Sequence, residues 1–242
     1  MEWVNESRLW AALGTLVGSV VRGFSGFGLG LVLVPVLSHI YGPAQAVGML
    51  LLFQLASSIV LIRDAWPHVD RRTIGGMSLA ASLMVPVGAW VLVTQAPDLM
   101  RTVINVSVAG FALLLLAGWR YPGRPHPWIT VLVGAVSGLF GGMVGISGPP
   151  VVVFLYAGPD SASRNRHNLI AYFALLNVVS ILVFLYGGVI QWDTLLRSLA
   201  LLPALYLGLK LGGRLFLVAS DMMLRRCALI LILSIALIGL LR

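Results

Sequence analysis

The residues best suited to chemistry stand in two glycine-rich stretches. The first runs Arg22-Gly23-Phe24-Ser25-Gly26-Phe27-Gly28-Leu29-Gly30. The second runs Gly141-Gly142-Met143-Val144-Gly145-Ile146-Ser147-Gly148-Pro149-Pro150. Glycine and paired prolines interrupt a helix. Where a helix restarts, its first backbone N–H groups lack an internal partner and sit at the positive end of the dipole. Such ends bind anions. Return helices starting near Gly28 and Pro149 would aim these donors at the two turns, and proline suits a first helical turn. Ser25 and Ser147 would add hydroxyls. The anion-binding candidates are therefore Arg22, Ser25, Gly26, Phe27 and Gly28 in the first stretch, with Gly145, Ser147 and Gly148 in the second. Close helix packing accounts for any one of these glycines; two clusters at matching positions argue for a site.

Arg22 is the only charged residue deep inside an apolar run. A central arginine costs at least about 2.5 kcal/mol on insertion scales, so it needs an anion, a cavity or broken-helix carbonyls. Two roles stay open: attracting an anionic substrate, and tying down carbonyls at the turn. Gln54, Ser57, Asn105, Asn177 and Ser180 are the other polar groups at depth. Gln54 and Asn177 follow the two glycine-rich stretches and could face them; interhelical hydrogen bonding is the better account of Asn105. No carboxylate or histidine lies at depth to relay protons, and His39, His68, His126 and His167 lack metal-ligand spacing, so neither a metal nor a cofactor is implied. Both stretches read G-x-S-G, a serine-nucleophile spacing. A serine nucleophile needs a general base, and none is at hand, so the chain does not read as an enzyme.

The elements that must position these residues are membrane helices. The 242 residues are 59% hydrophobic and 10% charged, against roughly 25% charged in soluble domains; mean hydropathy is +0.98. Apolar runs of about 20 residues recur along the chain, marking eight units: Leu9–Ile40, Ala44–Ile62, Ile74–Val93, Leu99–Trp119, Trp128–Ala157, Leu169–Gly187, Leu195–Leu217 and Met222–Leu241. Pro86 and Pro203 fall inside the third and seventh, where they would kink a helix. The formal charge of +8 is confined largely to short loops, so it sets topology and implies no nucleic acid. Cys227 is the single cysteine, which excludes an internal disulfide. Residues 1–8 are too short and acidic for the basic region of a cleaved signal.

The two halves, 1–122 and 123–242, read as repeats. Gly23 and Gly26 fall on Gly142 and Gly145 at a shift of 119. Pro86 falls on Pro203 at 117, and Ala96-Pro97-Asp98 on Ala219-Ser220-Asp221 at 123. Units one and five are about 30 residues long, or about 45 Å as straight helix, against a hydrocarbon core of about 30 Å. If all eight units cross, the Lys and Arg residues outside Arg22 divide 8 against 7. If units one and five are instead re-entrant hairpins, one side holds eleven: Arg63, Arg71, Arg72, Arg120, Arg124, Arg164, Arg166, Lys210, Arg214, Arg225 and Arg226. The other side keeps four, Arg8, Arg101, Arg197 and Arg242. The positive-inside rule favours the hairpins. The expected fold is thus all-α and polytopic, with two inverted four-unit repeats, each opening with a re-entrant helix–turn–helix hairpin. Both termini lie outside, and the hairpin tips approach from opposite faces.

The two glycine-rich stretches, with Pro35-Val36-Leu37 and Gly138-Leu139-Phe140 beside them, resemble the sulfite exporter TauE/SafE family; Ser147 and Pro149 depart from the glycines usual after the position of Gly145. The resemblance implies transport of small sulfur-containing anions such as sulfite, sulfonates or related organic acids. It also implies inverted repeats that open with helix–turn–helix units. The combined expectation is a multi-pass transporter of the cell (inner) membrane that binds its anion at the two tips and exports it. The partners are the small anion and the lipid bilayer, and a homo-oligomer is compatible with this reading. The alternatives are a passive anion channel and a cation-coupled importer. An inside-negative potential favours anion exit by about 2.3 kcal/mol per charge per 100 mV, and no buried proton carrier opposes that direction. Arg164, Arg166 and His167 beside the second hairpin could concentrate anions, although topology signalling explains them as well.

Overall fold

The computed structural model describes residues 2–25, 27–117, 126–157 and 160–218. Those residues form α1 (Glu2–Ser25), α2 (Leu29–Tyr41), α3 (Pro43–Ala65), α4 (Arg71–Thr94), α5 (Pro97–Leu116), α6 (Pro127–Val144), α7 (Gly148–Ala157), α8 (Ala162–Tyr186) and α9 (Trp192–Val218), with a 3-10 turn at Trp66–His68. The eighth apolar unit, Met222–Leu241, and the 122/123 boundary between the halves lie outside the described residues.

Local chemistry sets the helix starts. Pro43, Pro97 and Pro127 open α3, α5 and α6, where the missing N–H costs nothing. Asp70 caps α4 by accepting from the Arg72 and Thr73 amides, and Ser161 caps α8 by accepting from Arg164. The Ser161 cap starts α8 seven residues before the apolar run at Leu169, and the polar turn and a half between them buries Asn165 and Asn168. Pro86 and Pro203 sit inside continuous helices.

Five helices among the described residues are long and apolar enough to cross a membrane, or six if the bent pair Pro43–Ile59 and Leu61–His68 is one span. The outward faces are apolar: Leu83 is 70% exposed and Leu182 62%, which suits lipid. Trp66, Trp90, Trp128 and Trp192 stand exposed at or near helix ends, the depth at which tryptophan anchors to a membrane interface. The described residues are thus helical throughout their regular structure, with several helices fit to cross a membrane. α2 and α7, at 13 and 10 residues, are about 20 and 15 Å long and too short to cross. α6 has 18 residues, enough on its own to cross.

Both long apolar units predicted to break do break. α1 and α2 fold back on each other. A Cβ on Gly14 would stand 3.1 Å from Val36 Cγ1, and one on Gly18 would stand 3.2 Å from Leu29 Cδ1; that register reverses the chain near Ser25. The densest packing joins the halves crosswise, α4 on α6 and α1 on α9, followed by α3 on α8. Glycine permits it. Cβ atoms on Gly134, Gly138 and Gly142 would strike the backbone carbonyls of Met77, Ala81 and Val85, one helical turn apart on each helix. In the other pair, a Cβ on Gly23 would lie 2.5 Å from the Leu209 carbonyl, and one on Gly208 would lie 2.5 Å from that of Leu16.

Polar contacts mark two ends of the bundle. At one end Arg101 Nε donates to the Ser38 carbonyl at 3.3 Å, Arg197 donates to Gln45 at 2.8 Å, and the Arg197 guanidinium lies 4.8 Å from the Tyr41 ring centroid. At the other end His68 stacks on His167 at 5.0 Å, and the Asp70 amide donates to Asn168 Oδ1 at 2.9 Å.

Candidate functional site

The first break is made by Gly28, at φ 91° and ψ −7°. That left-handed conformation disfavours a side chain. Gly28 is the N-cap of α2, and no side chain caps the helix, so its leading amides are left to the surroundings. The second break is made by Gly145, at φ 73°. Its amide donates to the Gly141 carbonyl at 3.2 Å, and the Ile146 amide donates to that of Phe140 at 3.3 Å, which closes α6 in the manner of a glycine C-cap. Three residues later α7 begins at Gly148.

The two breaks touch. A Cβ on Gly30 would lie 3.2 Å from the Gly145 carbonyl and 3.5 Å from Ile146 Cγ1, while one on Gly148 would lie 3.9 Å from Phe27 Cβ. Leu50 of α3 fills the angle between them, 3.0 Å from the Gly30 Cβ position and 2.9 Å from that of Gly145.

A cavity opens at this meeting point. It is lined by Arg22, Gly28, Leu29, Gly30, Leu31, Gln54, Gly145, Ile146, Ser147, Gly148, Pro149 and Phe173. Water-sized centres fit within about 20 Å³ of it, room for one or two waters, so the cavity is narrow.

Arg22 supplies its charge. It stands in the last turn of α1, where the helix dipole favours a cation, and is only 3% exposed. Its guanidinium lies 5.7 Å from the Phe173 ring centroid, a cation–π distance. One Nη reaches Ser58 Oγ at 3.5 Å, a long contact, and Nε has no hydrogen-bond partner. Among the described residues the ion pairs are Arg101–Asp98, Arg164–Asp160 and Arg197–Asp193, all near helix ends; none involves Arg22. Arg22 thus brings to the cavity a buried guanidinium with an unused donor and, among the described residues, no carboxylate partner; a group of that kind can pair with an anion.

A hydrogen-bond chain holds the second break. The Tyr172 hydroxyl donates to Ser137 Oγ at 2.7 Å, and Ser137 Oγ donates to the Ser147 carbonyl. Tyr172 and Ser137 are fully buried, so the chain is shielded from water. It turns the Ser147 carbonyl toward α6, where a serine hydroxyl already occupies it.

Of the candidates named from sequence, Arg22, Gly28, Gln54, Gly145, Ser147 and Gly148 line this cavity. Phe27 packs beside Gly148. Gly26 and the Ser25 side chain lie outside the described residues. Asn177 is buried on α8, one turn beyond Phe173, with an unpartnered Nδ2; it is not among the lining residues. Ser57 donates to the Gln54 carbonyl of its own helix at 2.9 Å. Asn105 is buried with both amide atoms unpartnered, so no interhelical bond is made there among the described residues. Phe173, Tyr172 and Ser137 carry no sequence signal: an aromatic pair and one serine in apolar runs look like packing until the fold joins them. No group of three or more His, Cys, Asp or Glu among the described residues is arranged to hold a metal.

Comparison with known proteins adds to this geometry. The family model described as "Sulfite exporter TauE/SafE" matches residues 10–238. A curated relative from Cupriavidus necator, named "Probable sulfite/organosulfonate exporter TauE", is 27% identical over 218 residues, covering 85% of this chain and 82% of the relative. No solved structure matches significantly.

Proposed function

The chain belongs to the sulfite exporter TauE/SafE family, a family of membrane transporters and not enzymes, and from that premise we propose that it exports small sulfur-containing anions across the cell (inner) membrane. The anion binds between the two broken helices, on Arg22 and the leading amides of α2, with Gln54, Ser147 and Gly148 beside it. The observation that carries this reading is the buried guanidinium of Arg22, partnerless at Nε, on a cavity where two helix breaks meet. With room for one or two waters, that cavity must widen before an anion enters.

Inverted repeats with re-entrant hairpins are the architecture we propose around the site, at 1–122 and 123–242. The end-to-end contacts support it. Arg101 and Arg197 share the Tyr41 end of the bundle, and the loop after α3 shares the opposite end with the start of α8. A chain crossing with all eight units would separate each of these pairs. The hairpin division unites them and carries the 11-to-4 charge bias, which puts Arg63, Arg71, Arg72, Arg164 and Arg166 in the cytoplasm. The packing of α4 on α6 has its counterpart in that of α1 on α9, since the repeat matches pair α1 with α6 and α4 with α9. A broken helix pointing its positive end at an anion near the midplane is the arrangement of many inverted-repeat carriers.

Export follows from energetics. The membrane potential drives anions outward by about 2.3 kcal/mol per charge per 100 mV, and the described residues place no carboxylate or histidine on the cavity to couple protons. A cation at the second break would need free carbonyls, yet that of Ser147 already accepts from Ser137. In proteoliposomes, an imposed potential alone should move sulfite or a sulfonate toward the positive side. Flux that requires a proton or sodium gradient and ignores the potential would refute export and favour cation-coupled import.

A further inference from the structure

We propose that the paired prolines opening α7 set which anions this chain accepts, favouring monoanions with an apolar body over compact oxyanions of higher charge. The proposal rests on the cavity being the anion site. Two helices begin there, and each leaves its first four amide positions without an internal partner. In α2 those positions are Gly28, Leu29, Gly30 and Leu31, and all four carry an N–H. In α7 they are Ser147, Gly148, Pro149 and Pro150, and the last two carry none. The second helix therefore brings half the donors of the first, although the two breaks touch and share one cavity.

The lining groups differ accordingly. Arg22, Gln54 and the start of α2 supply the donors of the lining. Ile146, Pro149 and Phe173 present apolar surface, and the Ser147 carbonyl is turned away by Ser137. The buried polar side chains on the cavity include one cation, Arg22. One negative charge is matched; a second would sit in a water-poor site with few remaining donors, where an unmatched charge is costly. An apolar body laid on Pro149 and Phe173 gains by leaving water. A sulfonate head on Arg22 and α2, with its carbon body against α7, satisfies both kinds of lining group.

The test titrates full-length protein in detergent with propanesulfonate, methanesulfonate and sulfate, reading the concentration of each that half-stabilises the fold against heat. Wild type should respond to propanesulfonate at the lowest concentration and to sulfate at the highest. Pro149→Ala with Pro150→Ala restores two donors and should narrow the sulfate-to-propanesulfonate ratio by about tenfold, the effect of one hydrogen bond to a charged group. Each single variant should move it part of the way, which keeps the test informative if the double variant folds poorly. Equal response of wild type to sulfate and propanesulfonate, or an unchanged ratio in all three variants, overturns the proposal. If Arg22→Gln abolishes every response while the proline variants leave the ratio untouched, the site stands and the specificity proposal fails. If no anion stabilises wild type, both fail.

Discussion

The Tyr172–Ser137–Ser147 chain offers a direct test of how the second break is held. Tyr172 is on α8 and Ser137 on α6, so their bond joins two helices and removing it has a bounded cost. Interhelical hydrogen bonds in membranes average about 0.6 kcal/mol and reach about 1.7. Tyr172→Phe deletes that bond alone, because Ser137 still donates to the Ser147 carbonyl, and it should destabilise by about 0.6–1.7 kcal/mol. Ser137→Ala removes both bonds and strands the Tyr172 hydroxyl and the Ser147 carbonyl in a buried setting. Its expected cost is larger, about 1–3 kcal/mol. On the Ser137→Ala background, Tyr172→Phe has no bond left to break and instead removes an orphaned hydroxyl, so it should be neutral or stabilising. Reversible unfolding of the four proteins in mixed micelles gives the cycle. Costs that simply add would refute the chain, since residues sharing no partner behave additively.

Single-cysteine labelling, in a chain with Cys227 replaced, should place Asp98→Cys and Asp193→Cys on the outer face and Arg72→Cys on the inner one; labelling of the two aspartate positions from opposite sides would sink the hairpin topology. Gly138→Ala drives a Cβ into the Ala81 backbone and should cost about 1–3 kcal/mol, whereas Gly110→Ala enters open space on α5 and should gain about 0.5–1 kcal/mol. Partial burial pushes the Asp70 carboxyl up, but hydrogen bonds from Thr73 and Arg72, with Arg164 nearby, hold it below the usual carboxylate value. A folded value below the unfolded one means its stabilisation is complete above about pH 4 and fades as pH falls through the folded value; Asp70→Ala should lose about 0.5–2 kcal/mol of α4 capping at neutral pH, and a loss that appeared instead between pH 6 and 8 would contradict this.

Much of this was legible in the residues. Helix breaks announce themselves because glycine alone adopts the left-handed turn economically, and the turns fall at Gly28 and Gly145 within the two flagged stretches. Arg22 stands out because a deep charge is expensive. Helix ends were less legible where polar turns extend an apolar run. Glu2-to-Arg8 lengthens α1 and Ala162-to-Asn168 lengthens α8, since hydropathy marks the apolar part of a helix and not the polar turns added to it. Residues that act through the fold were invisible. Phe173 faces Arg22 from about 150 positions away, and Tyr172 reaches Ser137 across 35; nothing local separates them from other apolar or small residues. Several flagged glycines turned out to serve two purposes. Gly142 belongs to the second stretch yet packs against the Val85 carbonyl, so helix packing and helix breaking are written in adjacent positions.

The central claim is that Arg22 receives the anion. Equilibrium binding of sulfite to purified wild type and Arg22→Gln, by calorimetry at matched protein concentration, tests it most directly. Glutamine removes the charge while keeping a polar group on the cavity. Because no carboxylate among the described residues pairs with Arg22, the variant should fold as well as wild type. Loss of a hydrogen-bonded charge predicts affinity weakened about ten- to a hundredfold, and Arg22→Lys should restore little of it, since lysine lacks the planar fork. Unchanged sulfite affinity in folded Arg22→Gln would contradict the account and leave Arg22 as a tie at the end of α1.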